Sequence, residues 1–304
     1  MPFFSVIIPL YNKEIYIKNT IQSVLNQTFK DFEIIVINDG STDNSYNVLK
    51  TIKDSRITIY SNKNNGLAYS RNYGIQKSNS NYLALLDADD LWTNNYLESI
   101  KNMITRYNTQ MVFATNYNSW SKKKMPYLIN NPTKKTSYRL ITNYFNLRKN
   151  IFSFSSIVFH KSVFSTIGYF NEKVNYGEEE EFSIKCFSYY NLVYTTERKV
   201  FYLKNIENQL TAPNKNSKRI LPDYETYLTD KSPKDLKKYI DFIHYKVVIL
   251  YKMEKNNKLI KAYQKKIDPS NLSITKKIKY VLPTPLFYAL KSFYSWVLKI
   301  CIHC

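Results

Sequence analysis

The sequence predicts an α/β fold built on a doubly wound, mainly parallel sheet, followed by a helical C-terminal extension. Three observations carry this. Short β-branched apolar runs alternate with segments of helical period, which is the pattern of βαβ units. The runs are apolar from end to end, as strands covered on both faces must be. Polar and acidic residues gather just after the runs, at the sheet edge where open α/β sheets hold ligands.

The first run, Phe4-Ser5-Val6-Ile7-Ile8-Pro9, reads as a buried strand stopped by proline. A loop through Tyr11 and Glu14 leads to Ile17, Ile21, Val24 and Leu25, the apolar stripe of a helix of about three turns. Glu33–Asn38 is the second strand and ends in Asp39-Gly40-Ser41-Thr42-Asp43. Tyr46, Val48, Leu49 and Ile52 mark a second helix, Ile57–Tyr60 a third strand, and Asn64-Asn65-Gly66 turns into a helix over Leu67–Lys77. The fourth strand, Tyr82–Leu86, runs straight into Asp87-Ala88-Asp89-Asp90. Tyr96, Ile100, Ile104 and Tyr107 mark the next helix, and Met111–Tyr117 another strand. Residues 118–149 form a basic, Tyr-rich connection with a short helix over Tyr138–Leu147. Phe154–His160 is a strand and Lys161–Ile167 a short helix. Glu178-Glu179-Glu180-Glu181 opens a helix carrying Phe182, Cys186 and Tyr189, and Val193–Thr195 and Lys199–Leu203 are two closing strands. This divides the chain into a catalytic domain, 1–205, with halves 1–117 and 118–205, and a basic helical region, 206–304.

Composition narrows the function. The net charge of +20 implies a polyanionic partner such as nucleic acid, an anionic membrane or phosphorylated substrates. Nucleic acid is one such partner, but basic and aromatic residues are spread along the chain rather than gathered in a binding motif. The five glycines form neither a P-loop nor a G-x-G-x-x-G turn. The three histidines, His160, His244 and His303, are scattered. A receiver-like phosphoacceptor would also gather acids at strand ends, but needs a chain of about half this length. Cys186, Cys301 and Cys304 lack disulfide-like spacing, and the start of the chain lacks a charged leader, so a cytoplasmic setting is expected. Three acids within four positions at 87–90, with no local counter-charge, point to a divalent cation.

Residues 206–304 hold 19 Lys/Arg against 8 Asp/Glu. Within them a helix is expected over Lys234–Asn256. Near the end Leu286, Leu290, Phe293, Val297 and Ile300 repeat at 4-3-4-3 spacing, just after Lys276, Lys277 and Lys279. Lysines interrupt this stripe too often for a membrane-spanning helix. It reads either as an interfacial helix on an anionic membrane or as a helix docking on the catalytic domain.

Val6-Ile7-Ile8-Pro9-Leu10-Tyr11-Asn12, Asn38-Asp39-Gly40-Ser41-Thr42-Asp43, Asn65-Gly66 with Ser70-Arg71-Asn72, and Asp87-Ala88-Asp89-Asp90 together resemble family 2 glycosyltransferases of the GT-A fold. The likeness is strong over 4–117 and weaker to about 204. It implies that Pro9, Tyr11, Glu14 and Asp39 line a nucleoside pocket, with Asp39 reading the uracil ring. It implies that Arg71 approaches the diphosphate, that Asp87 touches ribose or metal-bound water, and that Asp89 holds Mn²⁺ or Mg²⁺. Asn38 stands where the family usually has a first acid. Gly177-Glu178-Glu179 resembles the family's base-bearing loop, with Glu179 as general base where Asp is usual. The implied enzyme is an inverting hexosyltransferase using a UDP-hexose. Its expected acceptor is a polyprenyl-diphosphate-linked glycan at the inner face of a bacterial membrane, in O-antigen or capsule assembly. A protein-linked or lipooligosaccharide acceptor, or a nucleic-acid-binding protein, are the alternatives.

Overall fold

The computed structural model describes residues 1–120, 137–204, 212–214 and 218–289. Of the expected C-terminal stripe only Leu286 falls among these; Leu290, Phe293, Val297, Ile300, Cys301, His303 and Cys304 lie outside the described residues.

The chain forms two compact units. The first comprises residues 1–144, 150–210 and 219–223, and the second residues 145–149, 211–218 and 224–304. In the first, β1 (Phe4–Leu10), α1 (Ile17–Leu25), β2 (Phe32–Asp39), α2 (Ser45–Lys50), β3 (Ile57–Asn62), α3 (Leu67–Lys77) and β4 (Tyr82–Leu85) alternate as expected. There follow β5 (Leu91–Trp92), α4 (Tyr96–Arg106), β6 (Val112–Trp120), β7 (Tyr138–Ile141), β8 (Ile157–His160), α5 (Ser162–Ile167), α6 (Glu178–Phe187) and β9 (Leu192–Leu203). The sheet order is β3-β2-β1-β4-β8-β6-β9-β5, with β7 also paired to β9. The β3-β2-β1-β4 half is wholly parallel, whereas β8 runs antiparallel to both β4 and β6.

β1 is fully buried along its length, and Ile17, Ile21 and Val24 of α1 join Val6, Ile8, Val36 and Trp92 in the main core. Pro9 lies inside β1 rather than ending it. Its side of the strand faces β4, whose ladder stops at Ile7–Leu85, so the missing N–H leaves no gap in pairing. On α3, Gly74 lies so close to the sheet that a β-carbon there would stand 2.4 Å from Ile7 Cγ2.

Three local expectations are corrected. Tyr138–Ile141 is a strand pairing with Leu192–Thr195, and only Phe145–Leu147 is helical, as a 3₁₀ turn. The edge of β9 offers this segment backbone partners that outweigh a weak helical period. Phe154–Ser156 is a 3₁₀ turn that leads into β8, its Ser153 and Ser156 side chains closing a capping box. Finally, β9 is one strand through Thr195–Lys199, and register shifts against β6 between Thr115 and Tyr117 absorb the polar interruption.

The second unit carries α7 (Leu236–Met253), α8 (Asn257–Gln264) and α9 (Ile274–Val281). On α7, Ile240, Ile243, Val247, Val248 and Leu250 are buried. Lys252, 2% exposed, donates to the carbonyl oxygens of Lys279, Tyr280 and Leu282 at 2.8, 2.7 and 2.7 Å, so one ammonium caps the end of α9. No helix of the described residues is long and apolar enough to cross a membrane.

Candidate functional site

β1 lies between β2 and β4, so the chain reverses its direction of winding there, and in open α/β sheets the edge beyond the strands' carboxyl ends at such a point is where ligands bind. The loops after β1, β2 and β4 meet at this edge. Asn12, held at φ 51°, ties the first two together: its Oδ1 accepts from Thr42 N at 2.8 Å and Asp43 N at 3.3 Å, and its Nδ2 donates to Thr42 Oγ1 at 3.0 Å. Lys13 N donates to Ser45 Oγ at 2.7 Å, and Glu14 Oε2 accepts from Asn44 N at 2.8 Å. Glu14 therefore braces the loop, while Tyr11 stays 41% exposed at its tip, open to a ligand.

Asp39 closes β2, nearly buried, with Oδ1 accepting from Asn65 N at 2.9 Å and Oδ2 from Gly66 N at 2.8 Å. Each oxygen keeps a second lone pair for a ligand N–H. The turn that permits this needs Gly40, whose φ is +71° and whose β-carbon would meet Asn64 N at 2.8 Å. Asn38 shapes the same turn by accepting from Ser41 N at 3.2 Å.

The three acids after β4 do not share one environment. Asp87 meets Arg71 Nη2 at 2.9 Å, and Asp89 meets Lys13 Nζ at 2.8 Å. Asp90, fully buried, accepts from Ser155 Oγ at 2.5 Å and Leu203 N at 3.0 Å. No counter-charge is local to these acids in the sequence, but distant residues supply two cations, and the third acid is a structural brace. Burial raises the carboxyl of Asp89, Lys13 opposing and Asp87 reinforcing the shift. Ser155 also accepts from Asp87 N at 3.1 Å, and its carbonyl takes Trp92 Nε1 at 2.7 Å. No sequence pattern gives a role to Lys13, Asn12 or Ser155, because each acts as one polar residue reaching across the fold.

α6 begins behind Gly177, whose left-handed φ of 86° starts the helix abruptly. Arg71 Nη2 touches Glu179 Oε1 at 2.7 Å, and Nη1 stands 3.6 Å from Glu178 Oε1. One nitrogen of Arg71 therefore joins the Asp87 carboxylate to that of Glu179. Arg71 is fully buried, with the rings of Phe154 and Phe170 at 5.4 and 5.5 Å. The covered guanidinium thus braces these acids from beneath. Asn72 next to it clamps the Phe170 loop, donating to Phe170 O at 2.9 Å and Glu172 Oε1 at 2.7 Å. Phe170 stacks on Phe182 of α6 at 4.3 Å, which fixes the helix start against α3.

Desolvation, with Glu178, Asp87 and Glu180 beside it, pushes the Glu179 carboxyl up to about 8 against the pull of Arg71. Its side chain keeps 34% of its surface, whereas that of Glu178 keeps 10%. Of Glu178 and Glu179, both raised, Glu179 is the more accessible, which suits a general base near neutral pH.

Among the described residues no three His, Cys, Asp or Glu side chains form a metal cluster. Asp87 and Asp89 nevertheless fit a hard divalent ion that takes one or two carboxylates and completes its shell with phosphate and water oxygens. The Lys13 ammonium lies on Asp89 Oδ2, so a metal at Asp89 would share that carboxylate with it or displace it.

The family model for "Glycosyl transferase family 2" matches residues 5–168. An uncharacterized glycosyltransferase of Rickettsia bellii is 52% identical over 95 residues, 31% of this chain and 14% of that protein. Glycosyltransferase GlyA of Streptococcus pneumoniae is 35% identical over 122 residues, 40% of this chain and 17% of its own length. The Escherichia coli UDP-Glc:alpha-D-GlcNAc-diphosphoundecaprenol beta-1,3-glucosyltransferase WfaP is 38% identical over 124 residues, 40% of this chain and 48% of its own. The chain therefore spans half or less of each of these relatives. In fold, it is similar to residues 1–349 of Staphylococcus aureus TarS in complex with UDP-GlcNAc, with a TM-score of 0.60 at 16% identity, covering 92% of this chain and 76% of that one.

Proposed function

Because the chain belongs to glycosyl transferase family 2, we propose that it transfers a hexose from a UDP-sugar, with inversion, to a glycan carried on polyprenyl diphosphate at the inner face of a bacterial membrane. One observation carries this reading: Asp39, Asp87, Asp89 and Glu179 converge on a single sheet edge, with Arg71 joining Asp87 to Glu179. The wording of WfaP's name supports a diphosphate-linked lipid acceptor, and the UDP-GlcNAc complex of TarS supports a UDP-sugar donor. Assembly of O-antigen or capsule is the corresponding setting.

In this mechanism Pro9, Tyr11 and Asp39 receive the nucleoside. Tyr11 offers an exposed ring to the base, and Asp39 accepts its N–H. Glu14 holds the loop that carries Tyr11. Asp87 and Asp89 would hold Mn²⁺ or Mg²⁺, whose charge would stabilise the departing diphosphate. Glu179 removes the proton from the acceptor hydroxyl as that oxygen attacks the anomeric carbon. Arg71 positions Asp87 and Glu179 and keeps Glu179 ionisable in a desolvated place.

The test is a panel of nucleotide sugars assayed for nucleoside diphosphate release. UDP release from a UDP-hexose, lost on chelation and lowered at least about 10²-fold in Asp89→Asn, is the expected result. Undiminished turnover in excess EDTA would remove the metal from the mechanism. Release from no nucleotide sugar at all would overturn the donor assignment.

A further inference from the structure

Helix α9 is mounted with its apolar side outward. Ile274, Ile278 and Val281, at i, i+4 and i+7, share one face and remain 78%, 53% and 68% exposed; Leu286, just beyond, is 56% exposed. Eleven large hydrophobic side chains are exposed among the described residues, and four of them fall within 274–286, so this is a patch and not scatter. The polar side of α9 makes the attachments. Lys276 Nζ donates to Arg148 O at 2.9 Å and lies 4.2 Å above the ring of Phe242. Tyr280 Oη donates to Gln264 O, and Gln264 Nε2 returns to Tyr280 O, both at 3.0 Å. Lys252 grips the C-terminal carbonyls. A helix stabilised only by the protein interior would be turned the other way, with its isoleucines inside.

Charge indicates what the stripe meets. At about 100° per residue, Lys277 flanks the Ile274–Ile278–Val281 face about 65° from its centre, and Lys279 lies on the other side, about 130° round, within reach only through its long stem. No Asp or Glu follows Asp268 in the sequence. A second copy of the chain would set these lysines against each other, whereas an anionic lipid surface matches both the apolar centre and the basic flanks.

We infer that the outward face of α9 docks on an anionic lipid bilayer, with Ile274, Ile278 and Val281 entering the interface and Lys277 and Lys279 meeting headgroup phosphates. This rests on the membrane-surface part of the proposed function and gives that part a location. It differs from the 4-3-4-3 stripe in using residues 274–281.

The full chain is sedimented with vesicles of phosphatidylglycerol and phosphatidylcholine, and with phosphatidylcholine alone. Wild type binds the anionic vesicles and Ile274→Asp/Ile278→Asp loses at least about tenfold in affinity. Both positions are exposed, so thermal unfolding and UDP release stay unchanged and report an intact fold. Lys277→Gln and Lys279→Gln each lower binding about fivefold, and added salt weakens the wild type. Unchanged vesicle binding by the double Asp variant overturns this docking face while leaving a membrane partner in place. Failure of the wild type to bind anionic vesicles overturns both, and UDP release in the same sample shows whether the transferase reading stands. Self-association of the wild type that the double Asp variant abolishes assigns the stripe to a second copy and also overturns the inference.

Discussion

Arg71 and Lys252 are both buried cations, yet they are neutralised in opposite ways. Arg71 lies among the carboxylates of Asp87, Glu178 and Glu179, while Lys252 spends its three N–H donors on the backbone carbonyls of Lys279, Tyr280 and Leu282. Carbonyls satisfy hydrogen-bonding capacity and leave the net charge standing, which suffices to end a helix. Carboxylates cancel the charge, and they do so with groups that keep chemistry of their own. In this protein the first arrangement builds the helical unit and the second builds the site.

The most severe way to probe the carboxylate cluster is to remove the proposed base. Glu179→Gln should abolish sugar transfer with donor affinity nearly unchanged, because the base acts on the acceptor; equilibrium binding of UDP-sugar beside turnover separates the two. Glu179→Asp should retain part of the rate. If Glu178→Gln is inactive and Glu179→Gln normal, the base is one position away.

Arg71→Met should cost about 3–5 kcal/mol in urea unfolding, since it strands buried carboxylates. Lys252→Met should cost less, about 1–3 kcal/mol, by leaving three carbonyls without donors. Hydrogen exchange should locate that loss in α9 while the sheet stays protected. Equal costs with equal spread would erase the distinction drawn here.

The mildest probe is pH. Glu179 is raised to about 8, so the rate should climb with pH through about 8 as the base ionises. Linkage gives stability the opposite sign: the folded carboxyl binds protons more tightly than the unfolded one, so this group's contribution declines from its unfolded pKa towards about 8. A Glu179→Gln protein should lose that part of the slope in pH-dependent unfolding.

The difference between these regions also explains what could be read from residue order. The parallel half declared itself through periodicity: α1 and α3 occupy the expected Ile17–Leu25 and Leu67–Lys77, and the strands fall within a residue or two. Asp87 and Asp89 are visible as acids crowded at a strand end, whereas Asp39 and Glu179 are singled out by the likeness to the family. Their partners are neither. Lys13 on Asp89, Ser155 on Asp90 and Arg71 on Glu179 are single polar contacts between distant segments, which no local pattern encodes. For the same reason Tyr138–Ile141 was misread as helix, since its structure is set by the neighbouring β9 and not by its own period.

Gly74 sets how closely α3 approaches the sheet. A methyl group there would collide with Ile7, so α3 can lie against β1 only because that atom is missing. Arg71 sits one turn earlier on the same rigid rod, so any larger residue at 74 would lift it away from the sheet and carry its grip on Asp87 and Glu179 outward with it. The spacing between Asp87 and Glu179 is therefore gauged from beneath the helix, by the absence of one side-chain atom.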